Sequence, residues 1–146
     1  MNMIFSRPTS EEFKFVVDSW SNSFRKSPYA GCVPNNLWAE VSRATITQLI
    51  MRPTAEVTVA LAPTTDGSRG RVMGYYVSEP GILHWLYVKK DFRRLGIGTK
   101  LLENSLSSWP GELRARPRYT HKTDSSLRFL PPGWKWDPIP ARIKAG

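Results

Sequence analysis

Arg93-Arg94-Leu95-Gly96-Ile97-Gly98 sets two guanidinium groups just ahead of two glycines, and Leu101, Leu102 and Leu106 follow at helical spacing. In such a loop the backbone N–H groups, with those of the helix's first turn, point at an approaching group. The glycines put no Cβ in its path, and the helix dipole adds positive potential. A phosphate or pyrophosphate suits this arrangement; the alternative is a basic turn that binds nothing, because glycines also end strands and open helices. Groups able to move a proton are few. The chain has two histidines, His84 and His121, with Glu79, Tyr119, Thr120 and Ser125 as further candidates. His84 falls within an apolar run, where it reads equally as a base or as a core histidine with one satisfied nitrogen. His121, beside Lys122 and Thr123, suits either chemistry or a surface turn. The single cysteine, Cys32, excludes an internal disulfide and fits a reducing cytoplasm.

Several elements must position these groups. Ile82 to Val88 is rich in β-branched and aromatic residues and follows the turn pair Pro80-Gly81, which predicts a central strand covered on both sides. Strict alternation along it puts His84 with Leu86 and Val88, and Trp85 with Tyr87. Upstream, Ile4 and Phe5 suggest a short strand. Thr9 or Ser10 caps a helix through Phe13, Val16, Val17 and Trp20 that stops by Pro28, and Asn35 to Met51 forms a second helix ended by Pro53. Glu56–Ala62 and Arg71–Ser78 form a hairpin across the polar loop 63–70. Beyond the glycine loop and its helix, Trp109-Pro110-Gly111 breaks the chain, and Arg114–His121 reads as a strand with Pro117 at an edge. Thr123 or Ser125 caps a short helix reaching Leu130, Trp134–Ile139 is a last strand, and 140–146 is a frayed tail. Trp20, Phe24 and Tyr29 pack in the core or line a groove.

The loop resembles the Arg/Gln-x-x-Gly-x-Gly/Ala signature of the GCN5-related N-acetyltransferase superfamily, with Val88 five residues before Arg93. The order strand, helix, helix, strand, strand, strand, loop, helix is that family's order too. The resemblance implies one α/β (α+β) domain over 1–146, with a mixed, mostly antiparallel sheet, helices on both faces and splayed central strands. It implies acetyl-coenzyme A as cofactor, held by Leu86, Tyr87, Val88, Arg93, Arg94, Leu95, Gly96, Ile97, Gly98 and Thr99. A carboxylate or histidine then serves as base and a tyrosine or serine as acid. Glu79, His84, Tyr119, His121 and Ser125 are the catalytic candidates; no metal is expected. The family's late tyrosine has no match between Thr123 and Leu130, where only Ser125 or Ser126 could donate a proton.

Charge leaves the acceptor open. Residues 89–146 hold 13 Lys/Arg against 5 Asp/Glu, a net of +8, whereas residues 1–88 are nearly neutral. Such a surface suits coenzyme A, nucleic acid or an acidic protein, and equally a merely soluble basic face. No apolar run reaches the roughly 18 residues of a membrane span, and a secretion signal is not evident, so a cytoplasmic protein, monomer or homodimer, is expected. Three functions fit: an N-acetyltransferase acting on a small-molecule or protein amine, a DNA-base-modifying enzyme resembling the phage Mom type, and a non-catalytic module that binds nucleic acid or protein. The first is the primary expectation, and small phage-encoded proteins are the kind it resembles.

Overall fold

The computed structural model describes residues 3–25, 35–121 and 129–138, with 25 and 35–41 described by their backbone alone. Tyr29, Cys32, Thr123, Ser125, Ser126 and the tail from Pro140 lie outside the described residues. Thr9 opens α1 (Ser10–Arg25) with a reciprocal pair: the Glu12 N–H donates to Thr9 Oγ1 at 3.3 Å, and the Thr9 N–H donates to Glu12 Oε1 at 2.9 Å. Arg69, from the loop before the third strand, closes on the same carboxylate at 2.5 and 2.9 Å. Helix α2 (Asn35–Ile50) follows.

Among the described residues six strands line up in chain order: β1 (Ile4–Ser6), β2 (Glu56–Leu61), β3 (Val72–Glu79), β4 (Ile82–Val88), β5 (Arg118–Tyr119) and β6 (Lys135–Trp136). Neighbours from β1 to β4 are antiparallel; β4–β5 and β5–β6 are parallel. A parallel pair requires a crossover, and α3 (Ile97–Ser107) with the short α4 (Gly111–Arg114) supplies it between β4 and β5. One face of the sheet packs Val59, Tyr75, Val77 and Trp85 against Val16 and Trp20 of α1 and Leu49 of α2. The other packs Met73, Tyr76, Leu83 and Tyr119 against Ile97, Leu101 and Leu102 of α3. Mixed α/β architecture with helices on both faces is therefore what the sequence led one to expect.

Three expectations need correction. Residues 114–121 are not one strand: the Pro110 carbonyl accepts the N–H of Leu113 and of Arg114 at 3.0 and 2.9 Å, which winds Gly111–Arg114 into α4 and leaves only Arg118–Tyr119 paired. The last strand likewise shortens to Lys135–Trp136. Nor does β4 alternate throughout. Val77 pairs with Trp85 but Ser78 pairs with Leu83, so His84 is an extra residue, a bulge. The bulge rephases the strand, placing Leu83 on the α3 side and Trp85 on the α1 side. His84 turns toward Glu79 and Thr120 rather than joining Leu86 and Val88.

Candidate active site

Among the described residues, β4 and β5 pair over two positions only. Strand β4 pairs with β5 at Ile82↔Arg118 and Leu83↔Tyr119, and the Thr120 N–H donates to the Leu83 carbonyl at 3.1 Å. Beyond Leu83, β4 continues to Val88 with no described residue of β5 opposite it, while its other edge stays paired with β3 up to Gly74↔Val88. Backbone amides along the open edge need partners, which water or an extended amide-bearing ligand can supply.

That edge leads directly into the glycine loop. A short 3-10 turn, Lys90–Phe92, is followed by Arg94 at φ 66° and Gly96 at φ 79°, the residue preceding α3. No described side chain caps α3, whose first N–H groups lie at the positive end of the helix dipole. The two glycines serve different needs. A Cβ on Gly96 would meet nothing within 4 Å, so there the backbone conformation demands glycine; a Cβ on Gly98 would lie 3.2 Å from the Phe129 ring, so there space demands it.

The cofactor candidates divide by burial. Arg94, Leu95 and Thr99 are exposed, Ile97 is buried and offers only its backbone, and Leu86 and Val88 pack on the α3 side. Tyr87 lies against Phe15 and Tyr75. Arg93 donates from Nε to the Val88 carbonyl at 3.0 Å and covers the Tyr87 ring, which holds its charge at the head of the open edge.

Three of the catalytic candidates meet on the α1 side in one hydrogen-bonded chain. Glu79 receives Arg52 Nη1 at 3.0 Å and the Thr54 hydroxyl, and its Oε2 lies 2.5 Å from His84 Nε2. His84 Nδ1 lies 2.9 Å from Thr120 Oγ1, which lies 2.8 Å from His121 Nδ1. Trp20, Phe24 and Trp85 surround the His121 ring, with centroids 5.0, 5.1 and 6.1 Å away. Trp20 is wholly buried and stacked on Trp85, a core residue and not the wall of a groove. His121 itself keeps some exposure where β4 and β5 part.

Electrostatics keep both imidazoles neutral. Burial drives His121 down to about 3, with nearby His84 adding to the shift and the His84 backbone carbonyl opposing it. Burial also lowers His84, against the pull of Glu79. Burial raises Glu79, but bonds from Thr54, His84 and Arg52 outweigh it and hold the carboxyl below its ordinary range.

Tyr119, by contrast, packs beside Leu83 on the α3 side and does not join the chain. Ser125 falls outside the described residues. Arg52 and Thr54 escaped the sequence reading because they reach Glu79 from 27 and 25 residues away, and no local pattern announces such contacts. Thr120, next to His121, was legible as a candidate but not as the link between the histidines.

No family model matches the chain, and no curated protein is similar to it. Solved structures are. A structure described as a probable acetyltransferase superposes with a TM-score of 0.55 at 20% identity, over 88% of this chain and 83% of that one. A GNAT-family acetyltransferase from Staphylococcus aureus Mu50 gives 0.48 at 14% identity over 73% of this chain, which spans only 64% of that protein's length. An aminoglycoside acetyltransferase from an uncultured soil metagenomic sample gives 0.41 at 19% identity, over 73% of this chain and 71% of that one. The chain thus shares its fold with the structure described as a probable acetyltransferase. Within that fold the glycine loop lies between β4 and α3.

Proposed function

We propose that the protein is an acetyl-coenzyme A-dependent N-acyltransferase that acts on a primary amine of a small molecule or protein. The observation that carries this reading is that the β4 edge, left unpaired by the described residues beyond Leu83, runs into the N-terminus of α3, beside Arg93 and Arg94. Residues 84–88 offer backbone partners to an amide-bearing arm, and the amides from Gly96 to Thr99 suit a pyrophosphate. Bound there, acetyl-coenzyme A would supply an activated thioester. The protein's own part is to orient the two reactants and take a proton from the amine. His121, neutral and placed where the strands part, is the group suited to take it. A nucleic-acid reading draws less support, because Arg118 in the basic C-terminal third is paired with Asp137.

Calorimetric titration of acetyl-coenzyme A tests the reading, with two variants at one position. Gly96→Ala carries only backbone strain, about 1–2 kcal/mol; Gly96→Glu adds a carboxylate facing the pyrophosphate site. The wild type should bind in the micromolar range, Gly96→Ala more weakly, and Gly96→Glu not at all. No heat with the wild type, or equal affinity for all three, rejects it.

A further inference from the structure

One end of the hydrogen-bonded chain dictates the direction of the rest. Glu79 is ionised and can only accept, so His84 donates from Nε2. A neutral His84 then has a lone pair at Nδ1, and among the described residues the hydrogen within reach is that of the Thr120 hydroxyl. Having given its hydrogen to His84, Thr120 Oγ1 accepts from His121 Nδ1. His121 is therefore the Nδ1–H tautomer, and its lone pair is at Nε2.

We propose that Thr120 joins the two histidines into a directed proton relay, in which His121 Nε2 accepts the proton lost by the acceptor amine and the resulting charge comes to rest on His84 beside Glu79. The proposal rests on the acyltransferase reading of the same site. Every proton is accounted for. As Nε2 gains one, Nδ1–H passes its hydrogen to Thr120 Oγ1, and Thr120 passes its own to His84 Nδ1. Three hydrogen bonds persist with the two at Thr120 reversed, His121 ends neutral as the Nε2–H tautomer, and His84 becomes an imidazolium against the Glu79 carboxylate.

The relay answers a physical difficulty. An imidazolium at His121, packed among Trp20, Phe24 and Trp85, has no described counter-ion, and its depressed pKa reflects that. One step further, His84 faces a carboxylate at 2.5 Å. The ionisable groups facing the two histidines, among the described residues, are Glu79 of β3 and Arg52 of the turn after α2; α1 presents only Trp20 and Phe24, and β4 Trp85. Arg52 and Thr54 keep Glu79 ionised and so set the direction. Thr120, His84 and Glu79 act as positioning residues, and His121 alone would touch the amine. Such a chain titrates as a unit.

Two measurements test the relay, and the first needs no substrate. Long-range 15N–1H spectra of the imidazoles should show His84 as the Nε2–H tautomer and His121 as Nδ1–H at neutral pH. Finding His121 as Nε2–H or as the cation overturns the relay, whatever the protein's activity. The second uses a primary amine that the wild type acetylates. Thr120→Val should lower kcat by roughly 100-fold, the scale of a lost general base, move the acid limb of the pH profile and leave the KM for acetyl-coenzyme A unchanged. Thr120→Ser, which keeps the hydroxyl, should stay within a few-fold of wild type. An unaltered kcat and pH profile in Thr120→Val also overturns the relay. If the wild type acetylates no amine, the acyltransferase reading fails, and the tautomer spectra still decide the relay.

Discussion

His121 and His84 are neutral in the fold, and their pKa values lie below the ordinary imidazole value of 6.5. The unfolded chain therefore takes up protons first as pH falls. Stability tied to these residues is intact above about pH 6.5 and is lost below it, by at most about 1.4 kcal/mol per pH unit for each histidine. For His121 the loss continues toward about pH 3. Glu79, lowered from 4.5, acts in the same sense at lower pH: its contribution is present above that value and falls away below it. Denaturant unfolding between about pH 6.5 and pH 4.5 should show stability declining with acid, and His121→Gln should flatten the decline. Equal slopes in wild type and variant would contradict the buried, neutral assignment. At this scale residue type told much: two histidines and one glutamate chosen by chemistry alone do meet, whereas Tyr119, chosen by the same reasoning, points to the other face.

Among elements, the loop between β4 and α3 stores backbone strain in a residue that is not glycine. Arg94 at φ 66° occupies the left-handed region, which costs roughly 1–2 kcal/mol for a residue with a Cβ. Strain retained in a charged, exposed residue beside an anion-binding turn points to use of that charge. Arg94→Gly should relieve the strain and raise stability by up to about 1 kcal/mol, part of the relief being offset by the greater entropy of unfolded glycine. The same variant should weaken acetyl-coenzyme A binding several-fold, and Arg94→Ala should weaken binding similarly without the gain in stability. Thermal unfolding and calorimetry on the pair separate the two effects; tighter binding in either variant rules out a role for the charge. The bulge at His84 belongs to this scale as well. Nothing in Ile82–Val88 marks one residue as extra, since a bulge is defined by the partner strand, here the step from Val77 to Ser78.

Across the molecule, charge is concentrated where the open strand edge meets the loop. Lys90, Arg93, Arg94 and Lys100 are exposed there, and Lys89 stands over the Phe15 ring at 4.7 Å. Attraction between such groups and a polyphosphate is screened by salt, with a Debye length near 10 Å at about 0.1 M. Affinity for acetyl-coenzyme A should therefore fall several-fold between about 0.05 and 0.5 M NaCl. A salt-independent affinity would mean that the basic excess serves something else. Duplex DNA that binds with a steep salt dependence and is not displaced by the coenzyme would identify that use as nucleic acid.

The order of the elements, the hairpin turns, the Thr9 cap and the glycine loop were legible in the sequence because each depends on residues a few positions apart: periodicity, capping chemistry and a positive φ are local properties. Leu101 and Trp20 likewise read as apolar residues to be buried, whatever their partners. Only the tertiary structure decided which side chains share a site. Glu79 is held by Arg52 and Thr54, and His84 is joined to His121 by a hydroxyl 36 residues away, through a bulge and a parallel pairing only two residues long. These contacts arise from how strands register and where they part, and registration is settled by packing on both faces of the sheet at once, which no single stretch of sequence contains.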